Sequence, residues 1–324
     1  RAGGRYVQLH NPDRLIAGRE YASDQNIDLD VEARVRVLND GGALQVDEKS
    51  IAFTNCDSVM LLLAADTSFL GDRSKGWRGE HPRERISKRI SRAEQCSYDE
   101  LLADHIADYQ RMFGRVTLDL GRTPKAIAVL PTAERVKRYG HQAGAFRLID
   151  RDPDAAEPIG EPSPAELATR IERHASVGWP TDRELEVLIY QYARYLMIAS
   201  SAPDENVLPA NLQGIWCISK RPPWRCDFHT DVNVQMNYWF SQASNLADCF
   251  PPLAHWIDSI REVRKEETRR VLGVERGWLM RSENGPFGGS TWHVQKGDSA
   301  WLCQNLWDQY AFTQDRAYLE RYAY

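Results

Sequence analysis

The chain has 324 residues, of which 42% are hydrophobic and 27% charged, and its formal net charge is −5 with a pI of about 6.0. This length is sufficient for a large core and for more than one domain. The mild acidic balance argues against nucleic acid or an anionic membrane as the main partner, and the longest apolar run, Val59–Ala65, is too short to span a bilayer.

The first 85 residues have the pattern of β-strands. Apolar and charged side chains alternate from Ile27 to Val37, which predicts a strand with one buried face and one wet face. Asn39-Asp40-Gly41-Gly42 predicts a turn. The run Val59–Ala65 predicts a strand buried on both faces. Shorter strands are predicted at Leu44–Val46 and Ser50–Thr54, so this region predicts an incomplete sheet.

The middle of the chain predicts a linker, a helix and an irregular insertion. Residues 66–96 are rich in Arg, Lys and Gly, which is typical of a linker. Ser97-Tyr98-Asp99-Glu100 is a capping box and predicts a helix that follows it. Val116–Leu120 predicts a short strand. Residues 121–180 contain many Pro, Gly and charged residues, which predicts an irregular insertion or, alternatively, partial disorder.

From residue 181 onward the pattern is helical. Thr181-Asp182-Arg183-Glu184 is a second capping box, and apolar residues recur at helical spacing from Leu185 to Ala199. Pro251-Pro252 predicts the start of a helix that ends near Gly273. Further helices are predicted at Ala300–Phe312 and Ala317–Tyr324. This periodicity fits either a toroid of paired helices or a bundle.

Two segments between Leu208 and Trp239 concentrate amides and indoles. The first is Leu-Pro-Ala-Asn-Leu-Gln-Gly-Ile-Trp at 208–216, and the second is His-Thr-Asp-Val-Asn-Val-Gln-Met-Asn-Tyr-Trp at 229–239. Amides and carboxylates exchange hydrogen bonds with hydroxyl groups, and indole rings cover apolar C–H faces. Such a surface suits a sugar.

Both segments closely resemble glycoside hydrolase family 95, whose members are inverting, exo-acting α-L-fucosidases and related α-L-galactosidases. The first segment keeps the family pattern whole, whereas the second has Asp231 where the family typically has Asn. The resemblance extends to Tyr192–Ser201 and Trp301–Tyr310, and more loosely from Ala33 to Gly121.

The resemblance implies a multidomain α and β protein. Residues 1–85 would form the C-terminal part of an N-terminal β-sandwich, 86–180 a linker helix and irregular insertion, and 181–324 the first half of an (α/α)₆ catalytic barrel. The implied activity is exo-hydrolysis, with inversion, of terminal α-L-fucose or α-L-galactose-like residues of an oligosaccharide or polysaccharide.

Inversion needs an acid on one side of the sugar and a base-held water on the other, with carboxyls about 6.5–9.5 Å apart. In the family two Asn, spaced i and i+2, hold the water and are polarised by a downstream Asp. The matching catalytic positions here are Asp231 and Asn233. Asp231 could act as the base directly, or mark a different substrate or an inactive site. The competing interpretation is that Asp231 caps a helix starting near Val234.

The family's general acid is the Glu of a Ser-Pro-Glu-Asn motif, which lies beyond the helix predicted at Ala317. That motif does not occur in this sequence, and Ser163-Pro164-Ala165-Glu166 is in the wrong place with one residue too many. We therefore expect the chain to be a fragment that is inactive alone. Glu283 could substitute as the acid, but the alternative is a loop salt bridge.

Seven further residues are expected to bind substrate in the pocket. They are Asn211, Gln213, His229, Glu283, Asn284, Trp292 and His293. The tryptophans at 216, 224, 239 and 292 lie in or beside Gly/Pro-rich loops and suit sugar stacking, whereas those at 256, 301 and 307 lie on helix faces and suit the core. The rim loop Gly285–His293 departs from the family's His-Asn-Thr-Asp-like stretch, which leaves the exact sugar open.

No cofactor or metal is expected. His229 and Asp231 could ligate a metal, but two ligands do not make a site. The six cysteines lack metal-site spacing and predict isolated thiols. A Cys217–Cys226 disulfide is the alternative if the protein is exported, as glycan-degrading enzymes usually are.

Two other functions remain open at this point. An inverting glycoside phosphorylase would need a phosphate site beside the water position, which acidic Asp231 disfavours. A non-catalytic carbohydrate-binding protein would keep the sugar surface but lack the general acid.

Overall fold

The computed structural model combines small antiparallel sheets toward the N-terminus with helices that dominate later in the chain. It divides into two compact units, one of Arg1–Arg115 with Leu196–Tyr324 and the other of Val116–Tyr195. The residues that it describes are 5–9, 15–16, 28–47, 50–143, 182–201, 203, 207–217, 219, 222–294 and 297–322.

The N-terminal strands pair only in antiparallel fashion within the described residues. They are β1 (Arg5–Leu9), β2 (Leu15–Ile16), β3 (Asp28–Leu29), β4 (Val31–Asp40), β5 (Ala43–Val46), β6 (Ile51–Thr54) and β7 (Ser58–Thr67). One sheet has the order β1-β4-β7, while β2 pairs with β3 and β5 with β6. The predicted turn is confirmed, since Gly41 and Gly42 have φ of 64° and 58° between β4 and β5. A Cβ on Gly42 would lie 2.2 Å from the Thr54 carbonyl oxygen.

The charged face of β4 is covered, so the predicted wet face is wrong. Helix α1 (Arg83–Ala93) lies over it, although the sequence predicted a linker there. Arg34 donates from Nη1 to Ser87 Oγ at 2.7 Å, and buried Glu32 accepts from Arg34 and Arg83. Ion pairs with α1 therefore replace solvent for these side chains.

The prediction that Val59–Ala65 is buried on both faces is also wrong. Leu61 and Leu63 of β7 are 58% and 69% exposed. Their neighbour Asp66 points to the other face, where Arg85 Nε of α1 lies 3.0 Å from it. Helix α1 covers one face of the sheet, and an apolar run alone does not report whether a second layer is present.

Helix α2 (Tyr98–Phe113) begins with the predicted capping box. Ser97 Oγ accepts from the Glu100 backbone N–H at 3.2 Å, and Glu100 Oε2 accepts from the Ser97 N–H at 2.7 Å. The predicted strand at 116–120 is wrong, since this described stretch pairs with no strand. A short extended segment needs a partner to become a strand, and the sequence does not supply that information locally.

The second unit contains α3 (Lys125–Ala128), α4 (Thr132–Ala143) and most of α5 (Arg183–Ser200). Asp182 stabilises the start of α5, because its carboxylate accepts from the Leu185 N–H at 3.2 Å and from Thr123 Oγ1 at 2.8 Å. The guanidinium of Arg135 lowers the pKa of this carboxyl. Residues 144–181, with Thr181 of the capping box and Ser163–Glu166, lie outside the described part.

The later helices and strands of the first unit surround one core. They are β8 (Phe228–His229), α6 (Asn233–Trp239), α7 (Pro251–Leu272), β9 (Arg281–Asn284), β10 (Ser290–Val294), α8 (Asp298–Thr313) and α9 (Arg316–Tyr322). The core includes Tyr238, Phe250, Leu253, Ile257 and Leu302.

The two longest of these helices agree with the sequence prediction. Helix α7 starts at the Pro pair and ends at Gly273 with φ 66°, and α8 covers the predicted segment. Trp256 is buried as expected, but Trp307, also assigned to the core, is 58% exposed. In the described part of the chain no helix is both long and apolar enough to cross a membrane.

Candidate functional site

The candidate site is built on the three-stranded sheet β10-β9-β8. Across β8 and β9, Phe228 is opposite Asn284 and His229 is opposite Glu283. Successive side chains of a strand point to opposite faces, and directly opposed residues share a face. Burial follows this alternation, since Phe228 and Asn284 are buried whereas His229 and Glu283 are partly exposed. One face of this sheet therefore meets solvent and the other meets the core.

The solvent face carries an acid–histidine cluster (Asp227, His229 and Glu283), whose ligand-type atoms all lie within 4.8 Å of one another. His229 Nδ1 is hydrogen-bonded to Asp227 Oδ1. Thr291 Oγ1 donates to Glu283 Oε2 at 2.9 Å, and Arg225 Nη1 lies 3.8 Å from the same oxygen. The loop salt bridge proposed for Glu283 is thus present.

Burial raises the pKa of the Asp227 carboxyl to about 6, and the negative charge of Glu283 raises it further. The hydrogen bond from His229 and the charge of Arg225 act in the opposite direction and lower this pKa. The cluster can therefore offer both donors and acceptors near neutral pH. Sequence reasoning missed Asp227. Its position two residues before His229, on the same side of an extended segment, was the available signal.

Two carboxylates and an imidazole are a donor set that can hold a divalent metal ion. Here the donors already have partners, because His229 is bonded to Asp227 and Glu283 accepts from Thr291. The Arg225 cation beside Glu283 further disfavours a second positive charge at that point. The arrangement fits hydrogen bonding to hydroxyl groups better than metal binding.

On the core face, Asn284 is 2% exposed, and its side-chain amide connects the backbone of β8 with that of β9. Its Nδ2 lies 3.1 Å from the Phe228 carbonyl oxygen, 2.9 Å from Thr230 Oγ1 and 2.8 Å from the Arg281 carbonyl oxygen. These contacts use its amide donors inside the protein. The expected sugar contact of Asn284 therefore has no support from its surroundings, and the residue acts as a brace for β8 and β9.

Asp298, at the start of α8, is a second acid that sequence reasoning missed. It is 4% exposed, and its Oδ2 lies 3.5 Å from Thr230 Oγ1. Burial raises the pKa of this carboxyl to about 7, with a further contribution from the charge of Asp231. An acid in the first turn of a helix is typical of any solvated helix, so the sequence carried no signal for it.

Asp231 and Asn233 follow β8 directly, and both are exposed. Helix α6 begins at Asn233, and its N-cap residue is Val232, which makes no side-chain cap. Asp231 therefore does not cap the helix, contrary to the competing interpretation. Among the residues that the structure describes, the side chains of Asp231 and Asn233 have no hydrogen-bond partner, which leaves their oxygens available to a ligand.

Tyr238 joins the three segments that carry the sequence resemblance. Its hydroxyl accepts a hydrogen bond from the Ala210 backbone N–H at 2.8 Å and is hydrogen-bonded to Ser201 Oγ at 2.7 Å. Burial raises the pKa of Tyr238 to about 12, so it stays a neutral phenol. The first segment is also attached to the cluster, because the Leu212 N–H donates to the Asp227 carbonyl oxygen at 3.2 Å.

Asn211 and Gln213 hold the loop in which they lie. Asn211 Oδ1 accepts from the Gln213 N–H at 2.8 Å and from Cys226 Sγ at 3.1 Å. Gln213 Nε2 donates to the Pro223 carbonyl oxygen at 3.3 Å. All six cysteines are free thiols, so the alternative Cys217–Cys226 disulfide is not formed.

Trp224, which precedes β8, and Trp292, in β10, keep exposed ring faces. Trp224 and Trp292 are each 68% exposed. Trp224 meets the His229 ring edge-on at 5.8 Å, and Trp292 meets the exposed His293 ring at 5.2 Å. Trp292 lies in the hairpin of β9 and β10, so part of the predicted rim loop is strand.

Comparison with known proteins identifies the family to which this sequence is similar. The family model of the glycosyl hydrolase family 95 catalytic domain matches residues 97–156 and 158–324, which is more than half of the chain. Alpha-L-fucosidase 2 of Arabidopsis thaliana is 30% identical over 301 residues, or 90% of this chain and 31% of that protein. Probable alpha-fucosidase A of Aspergillus niger is 28% identical over 334 residues, or 98% and 37%.

A further relative is the probable alpha-fucosidase A of Aspergillus oryzae, 28% identical over 239 residues, or 72% of this chain and 28% of that protein. The chain thus spans about a third of the length of the curated relatives it matches.

Proposed function

Because this chain belongs to glycosyl hydrolase family 95, we propose that it serves an exo-acting hydrolase that removes terminal α-L-fucosyl or α-L-galactosyl-like residues from glycans with inversion. The names of the relatives, all alpha-fucosidases, support the sugar class. We further propose that the sheet β1-β4-β7 is the end of a β-sandwich and that α5 to α9 begin an (α/α)₆ barrel.

One observation carries the proposal. Asp231 and Asn233, spaced i and i+2, are exposed, have no hydrogen-bond partner among the described residues, and follow His229 of the acid–histidine cluster by two and four positions in the chain. We call this pair the water station. Asn233 would orient the attacking water, and the Asp231 carboxylate would take its proton as the oxygen attacks the anomeric carbon. A carboxylate is the stronger base, so Asp231 does not need the distant activation that an amide would.

The departing oxygen needs a proton from the opposite side of the sugar. The family's Ser-Pro-Glu-Asn motif for this step matches no segment of this sequence. Glu283 already accepts a hydrogen bond from Thr291 at 2.9 Å and lies 3.8 Å from Arg225 Nη1, so its oxygens are engaged by neighbouring side chains. We assign Glu283 to hydroxyl binding instead.

The remaining pocket residues fall into two groups. His229, Glu283, Trp292 and His293 are at least partly exposed, as is Trp224, and we propose that they contact the sugar directly. Asn211 and Gln213 would act at its edge through the loop they hold. The phosphorylase alternative is disfavoured, because the Asp231 carboxylate stands at the proposed water position and would repel phosphate there.

The test is hydrolysis of an α-L-fucoside and an α-L-galactoside by the full-length gene product, with the first-formed anomer identified by ¹H NMR and binding of free L-fucose measured in parallel. Release of the β-anomer supports the proposal, and initial release of the α-anomer contradicts it. Dependence of turnover on added phosphate would favour a phosphorylase. Binding without turnover would favour a carbohydrate-binding role.

A further inference from the structure

We propose that Cys217 and Cys226 are a thiol pair that a small disulfide oxidant joins to each other, and that the new bond fixes the loop which carries Trp224 and Arg225. In the structure both cysteines are free thiols. This inference assigns a modification site and goes beyond the proposed function, because neither the site nor its test requires hydrolysis of a glycoside.

Hydrogen bonds hold the segment before Cys217 against the segment that contains Cys226. Gln213 Nε2 donates to the Pro223 carbonyl oxygen at 3.3 Å. The Cys226 thiol donates to Asn211 Oδ1 at 3.1 Å. The thiols of Cys217 and Cys226 are also within hydrogen-bonding reach of each other. A disulfide needs Cβ atoms about 3.5–4.5 Å apart, so two thiols in contact are close to the required arrangement.

The loop that ends at Cys226 has an unfavourable backbone conformation. Trp224, Arg225 and Cys226 have φ of 53°, 58° and 59°, and we call these three residues the left-handed corner. The left-handed region is unfavourable for residues that have a Cβ, so a run of three persists only where the surroundings hold it. A covalent bond at Cys226 would hold the corner more firmly than the S–H hydrogen bond to Asn211 does.

The left-handed corner carries two side chains of the solvent face. The Trp224 ring meets the His229 ring edge-on at 5.8 Å, and Arg225 Nη1 lies 3.8 Å from Glu283 Oε2. Both side chains are otherwise open to solvent, since Trp224 is 68% and the Arg225 side chain 79% exposed. The state of the thiol pair therefore affects how firmly these side chains are held beside the acid–histidine cluster.

The two cysteines have different roles in the reaction. Cys217 is exposed and Cys226 is half-buried. Burial raises the pKa of the Cys226 thiol, and its neighbour Cys217 raises it further. Because the thiolate is the nucleophile and must reach the oxidant, Cys217 attacks first.

The exchange then proceeds in two steps. The Cys217 thiolate attacks one sulfur of the oxidant, whose S–S bond breaks, and one thiolate leaves. Cys226 loses its proton to solvent and attacks the Cys217 sulfur, which releases the second thiolate. The protein gives up two protons and two electrons, and the oxidant becomes two thiols. Asn211 Oδ1 loses its Cys226 donor but keeps the Gln213 N–H at 2.8 Å.

The first experiment treats the folded full-length gene product with oxidised glutathione after reduction and removal of the reductant. Remaining thiols are alkylated, and peptides are mapped by mass spectrometry. We expect the peptide with Cys217 to be joined to the peptide with Cys226. Cys226→Ser should stop at the mixed disulfide between Cys217 and glutathione. The matched control Cys96→Ser, which changes a partly exposed thiol outside the corner, should keep the cross-link.

Three results would overturn the inference. The wild type could give only mixed disulfides with glutathione, or the cross-link could form only in urea. Either result would mean that the two thiols do not meet in the folded protein. Joining of Cys217 to another cysteine with a comparable yield would contradict the pairing with Cys226.

The second experiment tests whether the bond fixes the left-handed corner. Trypsin cleaves after exposed arginines, and cleavage needs local opening of the backbone. Cleavage after Arg225 should be several-fold slower in the cross-linked protein than in the reduced protein. Cleavage after Arg276, which is exposed in a distant bend, should be the same in both and serves as the internal control. Equal cleavage after Arg225 in the two states would overturn the fixing of the corner.

Both experiments keep this inference separate from the proposed function. If no glycoside is hydrolysed, the proposed function fails, while the cross-link and the cleavage rates still decide the thiol pair.

Discussion

The two faces of the sheet β10-β9-β8 carry similar polar residues but serve different purposes. On the solvent face, His229 and Glu283 bond to neighbouring side chains and remain partly open. On the core face, Thr230 and Asn284 direct their polar atoms to backbone carbonyls and are closed to water. A ligand can reach the side chains on the solvent face, whereas those on the core face hold the backbone that positions them. Residue type alone therefore does not separate binding from bracing; the face of the strand does.

The largest effect is expected at the water station, beyond the end of β8. In the full-length gene product, Asp231→Ala should lower kcat of glycoside hydrolysis by about 10²–10⁴-fold, because the attacking water loses its base. The exposed side chain has no hydrogen-bond partner among the described residues, so the unfolding midpoint should hardly change. Steady-state kinetics with a melting curve measure both. Near-normal turnover would remove Asp231 from the mechanism.

The two faces can be compared most directly at adjacent residues of β9. Asn284→Ala should lower the free energy of unfolding by about 2–4 kcal/mol, because it leaves more than one buried oxygen without its donor. The matched change Glu283→Ala, on the solvent face, should cost about 1 kcal/mol or less. Urea unfolding measures both values. Equal losses would mean that the two faces do not differ as proposed.

The pH dependence of stability offers a third comparison, through Asp227. Its folded-state pKa of about 6 lies above the free value of 3.8. The contribution of Asp227 to the free energy of unfolding is therefore fully present below about pH 3.8, and it is lost as the pH rises through about 6. Over this pH range the free energy of unfolding of the wild type should fall by at most about 3 kcal/mol because of Asp227, and Asp227→Asn should remove that fall. Urea unfolding at pH 4, 5, 6 and 7 measures it. An unchanged slope would show that solvent, and not burial, controls this carboxyl.

The smallest loss of stability is expected at Tyr238, whose hydroxyl links the segment 229–239 to the segment 208–216. Tyr238→Phe removes the acceptor of the Ala210 N–H but keeps the ring in the core. A loss of about 1–2 kcal/mol is expected, since one buried donor is left unpaired. Urea unfolding measures this loss, and Tyr310→Phe on α8 serves as the control. If the two variants are equally stable, the hydroxyl does not hold the first segment in place.

Local signals predicted a large part of the helical structure. The capping box at Ser97, the Pro pair at 251 and Gly273 each mark a helix end, and the structure confirms all three. These features act within one turn of the chain, so the sequence contains the whole cause. Helix α1 was missed because its charged residues pair with Glu32 and Asp66, more than a dozen residues away in sequence.

For the site, the sequence by itself determined which segments carry the polar and aromatic side chains and what chemistry those side chains offer. It also carried the resemblance to family 95, which the comparisons bear out. The motifs at 208–216 and 229–239 contain the amides, acids and indoles that a sugar surface needs. Only the tertiary structure decided that Asn284 faces the core, that Asp227 joins His229 and Glu283, and that Asp298 reaches Thr230. The reason is physical: strand register and helix packing set which side chains meet, and both depend on contacts between residues far apart in the chain.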